Sequence, residues 1–399
     1  MKRILLLALV PTVHAGEITF TKQVVSEEFV AEGAAVADFN GDGQKDIAAG
    51  AYLWLGPKFD QRVAYTTPPA APYDGAKGYS EYFLADSTDL NEDGRPDIVV
   101  FDYPGKQTWG LLNPGKPGEL WARYPLLDST DGESPALGDV TGDGKPEILC
   151  LSGGSPGYAE IPWNKPEDTD KAKKVNATFH AVAPADPKRY QRYTHGYGAG
   201  DLNGDKRVDL LEKDGWYEQP TEAGKPWAFH PVKFSPPQQH GGAQMLVFDV
   251  NGDGRNDVVT SYNAHGYGLG WFEQTADGNF TEHQILASEA VKTPGAVSFS
   301  QLHALAAADF NGDGITDFVT GKRRWAHGPN GDPEPNSDPV LYWFETKRDG
   351  KGSAEFIPHE IDRSSGVGTQ VTATDVNGDG KSDVVVANKS GVFVFLQKP

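Results

Sequence analysis

The sequence predicts an all-β fold: a seven-bladed β-propeller, closed by the N-terminal strand completing the last blade and carrying calcium loops of the pattern DxNxDGxxD. Three observations predict it. One acidic loop pattern recurs seven times, apolar strand-like runs flank the copies, and the first aspartates of successive copies stand 48 to 66 residues apart, enough for four short strands per unit. The 47 glycines and 29 prolines, with few stretches of helical apolar spacing, agree with many short strands joined by turns.

The chain opens with MKRILLLALVPTVHA, in which Lys2 and Arg3 precede an apolar run from Ile4 to Val10, and Val13-His14-Ala15 precedes Gly16. These are the three parts of a secretory leader. Residues 1–15 are therefore expected to be a signal peptide, and 16–399 a single propeller domain, exported to the periplasm or beyond the cell. The apolar run falls short of the roughly 18 residues that span a bilayer, and no later segment qualifies, so no membrane association is expected. The formal charge of -20, or -22 without Lys2 and Arg3, argues against nucleic acid as a partner. Cys150, the single cysteine, sits in EILCLSG, can form no intrachain disulfide and reads as a small buried hydrophobe.

In the first loop, DFNGDGQKD, Asp38, Asn40, Asp42 and Asp46 hold positions 1, 3, 5 and 9, and Gln44 offers its carbonyl from position 7. The same positions are filled by Asp89, Asn91, Asp93, Arg95 and Asp97 in the second copy and by Asp139, Thr141, Asp143, Lys145 and Glu147 in the third. The fourth has Asp201, Asn203, Asp205, Arg207 and Asp209, and the fifth Asp249, Asn251, Asp253, Arg255 and Asp257. Asp309, Asn311, Asp313, Ile315 and Asp317 form the sixth, and Asp375, Asn377, Asp379, Lys381 and Asp383 the seventh. Oxygens at this spacing around a sharp turn suit a hard cation, so up to seven structural calcium ions are expected. An EF-hand would need a glutamate at position 12, and only the fourth copy has one, Glu212. That copy also has Lys206 in place of the glycine at position 6, and is expected to be the weakest site.

Strand-like segments such as AAVADF enter the loops, and IVVFDY, VVTSYN and VVVANK leave them. The last repeat stops after VFVFLQ, a third strand, whereas EITFTKQVV near the N-terminus reads as a fourth. Placing the two in one blade closes the ring and removes two exposed sheet edges.

The histidines divide by position. His180, His230, His283 and His359 fall in fourth, outermost strands and are expected to be structural. His195, His240 and His303 precede first strands, while His265 and His327 follow second strands, so all five are expected on the face opposite the acidic loops, in one sector near the channel mouth. Asp214, Tyr262, Asn263, Lys322, Arg323 and Trp325 are expected there too, with Glu133, Gln370 and Lys389 as neighbours.

The seven loops resemble the FG-GAP and VCBS families of calcium-binding propeller repeats, across essentially the whole mature chain. The stretch THGYGAGDLNGDKRVDLLEKDGWYEQP, with the following WAFHP, resembles the propeller domain of the aldos-2-ulose dehydratases, although the two cupin domains of that family are lacking. That resemblance implies a carbon–oxygen lyase acting on a ketosugar. His195 or His303 would take a proton next to the carbonyl, Lys322 or Arg323 would stabilise the enolate, and another of the five histidines would protonate the leaving hydroxyl, with Asp214, Tyr262, Asn263, Trp325 and Gln370 contacting substrate. An additional divalent metal on His195, His240 and His303 would be an alternative to the cation. The competing expectation is a non-catalytic propeller that binds a glycan, another small molecule or a protein.

Overall fold

The computed structural model describes residues 18–162, 177–236 and 241–398. The expected signal peptide, 1–15, and His240 lie outside them. The described regular structure is entirely β: 27 strands in antiparallel sheets, with no helix. Five sheets have four strands. The sixth has seven, because the 17-residue strand Ala122–Gly138 is long enough to pair with Lys106–Leu112 through its first half and with Glu147–Ser152 through its second. It is the outer strand of one repeat and the inner strand of the next.

Chain order is interrupted in one sheet. Phe20–Ser26 pairs with Gly391–Gln397, with Phe20 opposite Gln397 and Val24 opposite Phe393, and Asp383–Asn388 and Thr372–Thr374 complete that sheet. The first and last strands of the chain are therefore neighbours.

Second strands such as Asp97–Phe101, Asp257–Ser261 and Asp383–Asn388 are buried along their whole length, as expected for strands covered on both faces by adjacent sheets. Outer strands such as Ala354–Asp362 alternate between half-buried and exposed positions. Inner strands approach closely. A Cβ on Gly198 would lie 2.3 Å from the Met245 carbonyl oxygen, and one on Gly200 would lie 2.6 Å from the Val247 Cβ, which is why the inner strand of the fourth repeat reads YGAG. Main-chain bonds join the entry segments of neighbouring sheets: Glu32 N to Tyr82 O at 2.9 Å, Glu133 N to Thr194 O at 3.0 Å, Met245 N to Tyr197 O at 3.1 Å and Val367 N to Lys322 O at 3.1 Å. The last sheet also bonds to the first, through Thr369 N to Glu32 O at 3.0 Å and Thr372 Oγ1 to Ala34 O at 3.2 Å.

Each acidic loop is organised by its own carboxylates. Asp38 accepts the amides of Gly41, Asp42 and Gly43, and Asp42 accepts that of Gln44. The ninth residue turns inward. Asp46 accepts Phe39 N and Gly56 N, Asp97 accepts Leu90 N and Asn113 N, and Asp257 accepts Val250 N, Gln274 N and the Trp271 indole. It ties the loop to the end of the third strand. Burial pushes Asp46, Asp209 and Asp257 up to about 6, and Asp97 and Asp317 up to about 7, with the bound amides acting in the opposite direction. The position-7 arginines Arg95, Arg207 and Arg255 fold back onto Asp93, Asp205 and Asp253. In the third loop, where glutamate replaces aspartate at position 9, Asp139, Asp143 and Glu147 bring carboxylate oxygens within 4.8 Å of one another. Glu212 points away from its loop and pairs with Arg189.

The four outer-strand histidines share one arrangement. His230, His283 and His359 stack on Trp216, Trp271 and Trp343 with ring centroids 4.2 to 4.3 Å apart, and each reaches a glutamate of the third strand: Glu218, Glu273 and Glu345. His180 stacks on Tyr158 and faces Glu160 in the same way. Cys150 is buried, and burial pushes its thiol up, as expected for an inert side chain.

Lys206 occupies its turn at φ 70°, and its amide reaches Asp201 at 2.8 Å as a glycine's does elsewhere, for example Gly43 to Asp38. Replacing Lys206 by glycine removes left-handed strain and is expected to stabilise the protein by about 1 kcal/mol in urea unfolding. A variant no more stable than the parent would contradict this.

Candidate functional site

Four repeats place an ionisable residue six positions before the first aspartate of the loop: Glu32, Glu133, His195 and His303. Six extended residues span roughly 20 Å, so these side chains stand at the far end of the inner strands from the acidic loops. Arg323 follows the second strand Asp317–Lys322, and His265 lies in the segment after Asp257–Ser261. The sheet geometry brings them together.

His195, His265 and His303 form a triangle with ring centroids 4.6, 5.1 and 5.4 Å apart. His265 Nε2 lies 3.0 Å from His195 Nε2, and Glu133 Oε2 lies 3.4 Å from His195 Nε2 and 3.0 Å from His303 Nε2. One donor atom from each of these four residues lies within 4.8 Å of the other three. Four donors bound at about 2.1 Å around one tetrahedral ion would stand about 3.4 Å apart, so the set has the dimensions of a divalent-metal site. Nδ1 of each of the three histidines is buried without a hydrogen bond. Asp332 approaches from the outer side, 2.9 Å from His327 Nδ1 and 3.5 Å from His265 Nδ1.

Protonation states suit such a site. Burial, then the neighbouring charges, pushes His265 far down, and burial with the Arg323 charge takes His303 down to about 3, so both are neutral at neutral pH. Burial alone would raise Glu133, but its contacts with His195, and then His303, outweigh it and hold the carboxyl well below its usual range. Arg323 donates to His303 Nε2 at 2.8 Å and to Glu32 Oε1 at 2.7 Å, so its positive charge is matched by Glu32.

A cavity of about 610 Å³ opens beside this cluster. His195, His265, His327, Glu133 and Arg323 line it, together with Tyr79, Tyr103, Tyr193, Lys188, Arg189 and Lys213. Four of the five histidines expected in one sector are thus neighbours, and Glu133, expected only at the margin, is at the centre. Several other expected residues stand elsewhere. Tyr262 is a core residue whose hydroxyl bonds Glu282, because its ring packs under Gly268 and Gly270. Gln370 is occupied by both main-chain groups of Ala85, and Trp325 donates to the Pro335 carbonyl. Lys322 is buried against Ser300 Oγ at 2.6 Å, and burial lowers it to about 8. Asp214 stands behind Lys213, held by it and by Lys233. Asn263 accepts the His265 amide and so shapes the histidine's loop. Lys389 Nζ lies 4.2 Å from the Tyr79 ring centroid. The six-residue offset that singles out His195 and His303 would also have found Glu32 and Glu133. The tyrosines and rim lysines carry no comparable signal.

FG-GAP-like repeats match residues 89–150 and 249–320, and an FG-GAP repeat matches 367–395. Among solved structures, the chain is similar to an Agrocybe aegerita lectin described as specifically recognising non-reducing terminal N-acetylglucosamine, with 18% identity, TM-score 0.50, and coverage of 92% of this chain and 85% of that one. It also matches the V. cholerae biofilm matrix protein Bap1, with 17% identity, TM-score 0.37, and coverage of 73% of this chain and 40% of that one. No curated protein sequence matches significantly. The repeats and the fold shared with the lectin support an FG-GAP propeller.

Neutral His303 carries a stability signature. An unfolded histidine binds a proton near pH 6.5 and the folded one only near 3, so in that window the unfolded state holds more protons and stability falls as pH falls. In chelator, His303→Gln is expected to lose roughly 2 kcal/mol less than the parent between pH 7 and 4.5 in urea unfolding. Parallel pH profiles would show that His303 is protonated in the native state.

Proposed function

We propose that this chain is a carbohydrate-binding FG-GAP propeller: seven blades closed into a ring, calcium in the acidic loops on one face, and a saccharide site in the cavity on the other. The observation that carries the reading is the composition of the cavity, in which Tyr79, Tyr103 and Tyr193 stand beside polar groups that can order the hydroxyls of a sugar. Ring closure is supported by the N-terminal strand in the last sheet and by the bonds from Thr369 and Thr372 back to the first. In the similar lectin such a fold serves recognition of a sugar, which accords with this reading.

The same proposal includes a divalent ion on Glu133, His195, His265 and His303. Three imidazoles and a carboxylate suit zinc and related ions. His265 here takes the role that the sequence reading gave to His240. Cobalt(II) added to chelated protein is expected to give the visible absorption of a low-coordinate site, lost in His195→Ala and His265→Ala; an unchanged spectrum would contradict the metal centre. Calcium chelation is expected to lower the melting temperature, because ions bound only by the folded state stabilise it. An indifferent melting curve would leave the loops as turns.

A dehydratase reading keeps one supporting observation: His195, His265 and Arg323 share the cavity wall, so a base and a cation stand side by side. His303 and Lys322, turned into the protein, do not serve these roles in this reading. Incubation with 1,5-anhydrofructose or glucosone would then produce enone absorbance, and its absence with and without added metal leaves the binding module.

A further inference from the structure

We propose that the saccharide taken by this cavity is acidic, a uronic acid residue or oligosaccharide, and that Lys188 and Lys213 read its carboxylate. The inference rests on the carbohydrate reading above and names the substrate class of the same site.

The charge of the cavity runs against the charge of the chain. The protein has 56 acidic and 36 basic residues, so an average patch of its surface is negative. Yet the charged residues lining the cavity, histidines aside, are Lys188, Arg189, Lys213 and Arg323 against Glu133 alone. Glu133 is engaged at the floor by His195, His303 and Arg323. Arg323 is matched by Glu32 and Arg189 by Glu212, which cancels two of the four cations.

The other two are not cancelled. Lys188 is exposed and pairs with no acid among the described residues. Lys213 shares the single Asp214 with Lys233, so that group of three carries one net positive charge. An anion entering the cavity meets two ammonium groups not fully matched by carboxylates, against the single Glu133 charge at the floor, so the lining keeps a net positive charge that a neutral sugar would leave unmatched.

The remaining wall suits the rest of such a ligand. Tyr79, Tyr103 and Tyr193 line it, with Tyr103 packed between the other two at centroid distances of 4.9 and 5.8 Å, and the exposed Tyr193 ring is the one open to the apolar face of a sugar. Between a carboxylate and a sulfate ester, both of which ammonium groups attract, the carboxylate is the stronger base and gains more from charge-assisted hydrogen bonds.

The test is calorimetric titration of the full chain with oligomers of galacturonate and glucuronate, their neutral counterparts galactose and glucose oligomers, and a sulfated galactose oligomer, at low and high salt. The acidic oligomers are expected to bind about tenfold more tightly than the neutral ones, an advantage that shrinks with salt. Lys188→Gln and Lys213→Gln are each expected to reduce that advantage about threefold to tenfold, weakening the acidic oligomers more than the neutral ones. Lys188 is exposed, so its variant tests the inference without threatening the fold. Equal affinity for acidic and neutral oligomers overturns the inference and leaves the carbohydrate reading intact. Equal affinity for sulfated and carboxylated oligomers overturns the assignment of the carboxylate, and binding of none of them overturns both readings.

Discussion

In repeat after repeat a buried carboxylate at the ninth loop position accepts one amide from the second loop residue and another from the end of the third strand, as Asp46, Asp97 and Asp383 do. This pair of bonds fixes the loop against three strands of its sheet at once. Hydrogen bonds to a charged acceptor contribute roughly 1.5–3 kcal/mol each, and burial of the carboxylate acts against them, as the raised pKa values of these residues show. A cation in the loop would favour the charged form further. The requirement for an acid at that position, in a fold with no disulfide, follows from this balance.

What the loops fix at one end of the sheets, the strands deliver at the other. Because inner strands leave their loops with the same register in each repeat, a residue six positions upstream is carried to the same depth every time. Glu32, Glu133, His195 and His303 occupy that depth, and Arg323 reaches it from a second strand to join two of the carboxylates. The cluster is therefore assembled by different sheets: Glu133, His195 and His303 come from the entry to inner strands and His265 from the segment after a second strand. The tyrosine and lysine wall of the cavity comes instead from connecting segments.

The all-β character and the strand flanks of the acidic loops were legible because each depends on local pattern, and the pairing of the chain ends because each end offers an unpaired strand of the same repeat. The outer histidines were also legible, since their recurrence in fourth strands matches the recurring stack on Trp216, Trp271 and Trp343. Side-chain direction was not. Lys322 and Arg323 are adjacent in sequence, yet one turns to Ser300 and the other to His303 and Glu32. Tyr262 and Gln370 lie close to the expected face but are committed to Glu282 and to the Ala85 main chain, contacts set by neighbouring strands. Tyr79, Tyr103 and Lys188 stand in loops with no repeat position, so only the folded chain brings them to the cavity.

The account centres on four donors that converge beside the cavity proposed to hold a ligand. Anomalous diffraction from crystals grown with zinc tests this most directly. The account predicts one strong peak roughly 2.0–2.2 Å from Nε2 of His195 and His265 and from a Glu133 carboxylate oxygen, with His303 joining only by exchanging its hydrogen bond from Arg323 for the ion. Zinc peaks confined to the acidic loops, with none among these four residues, would contradict it.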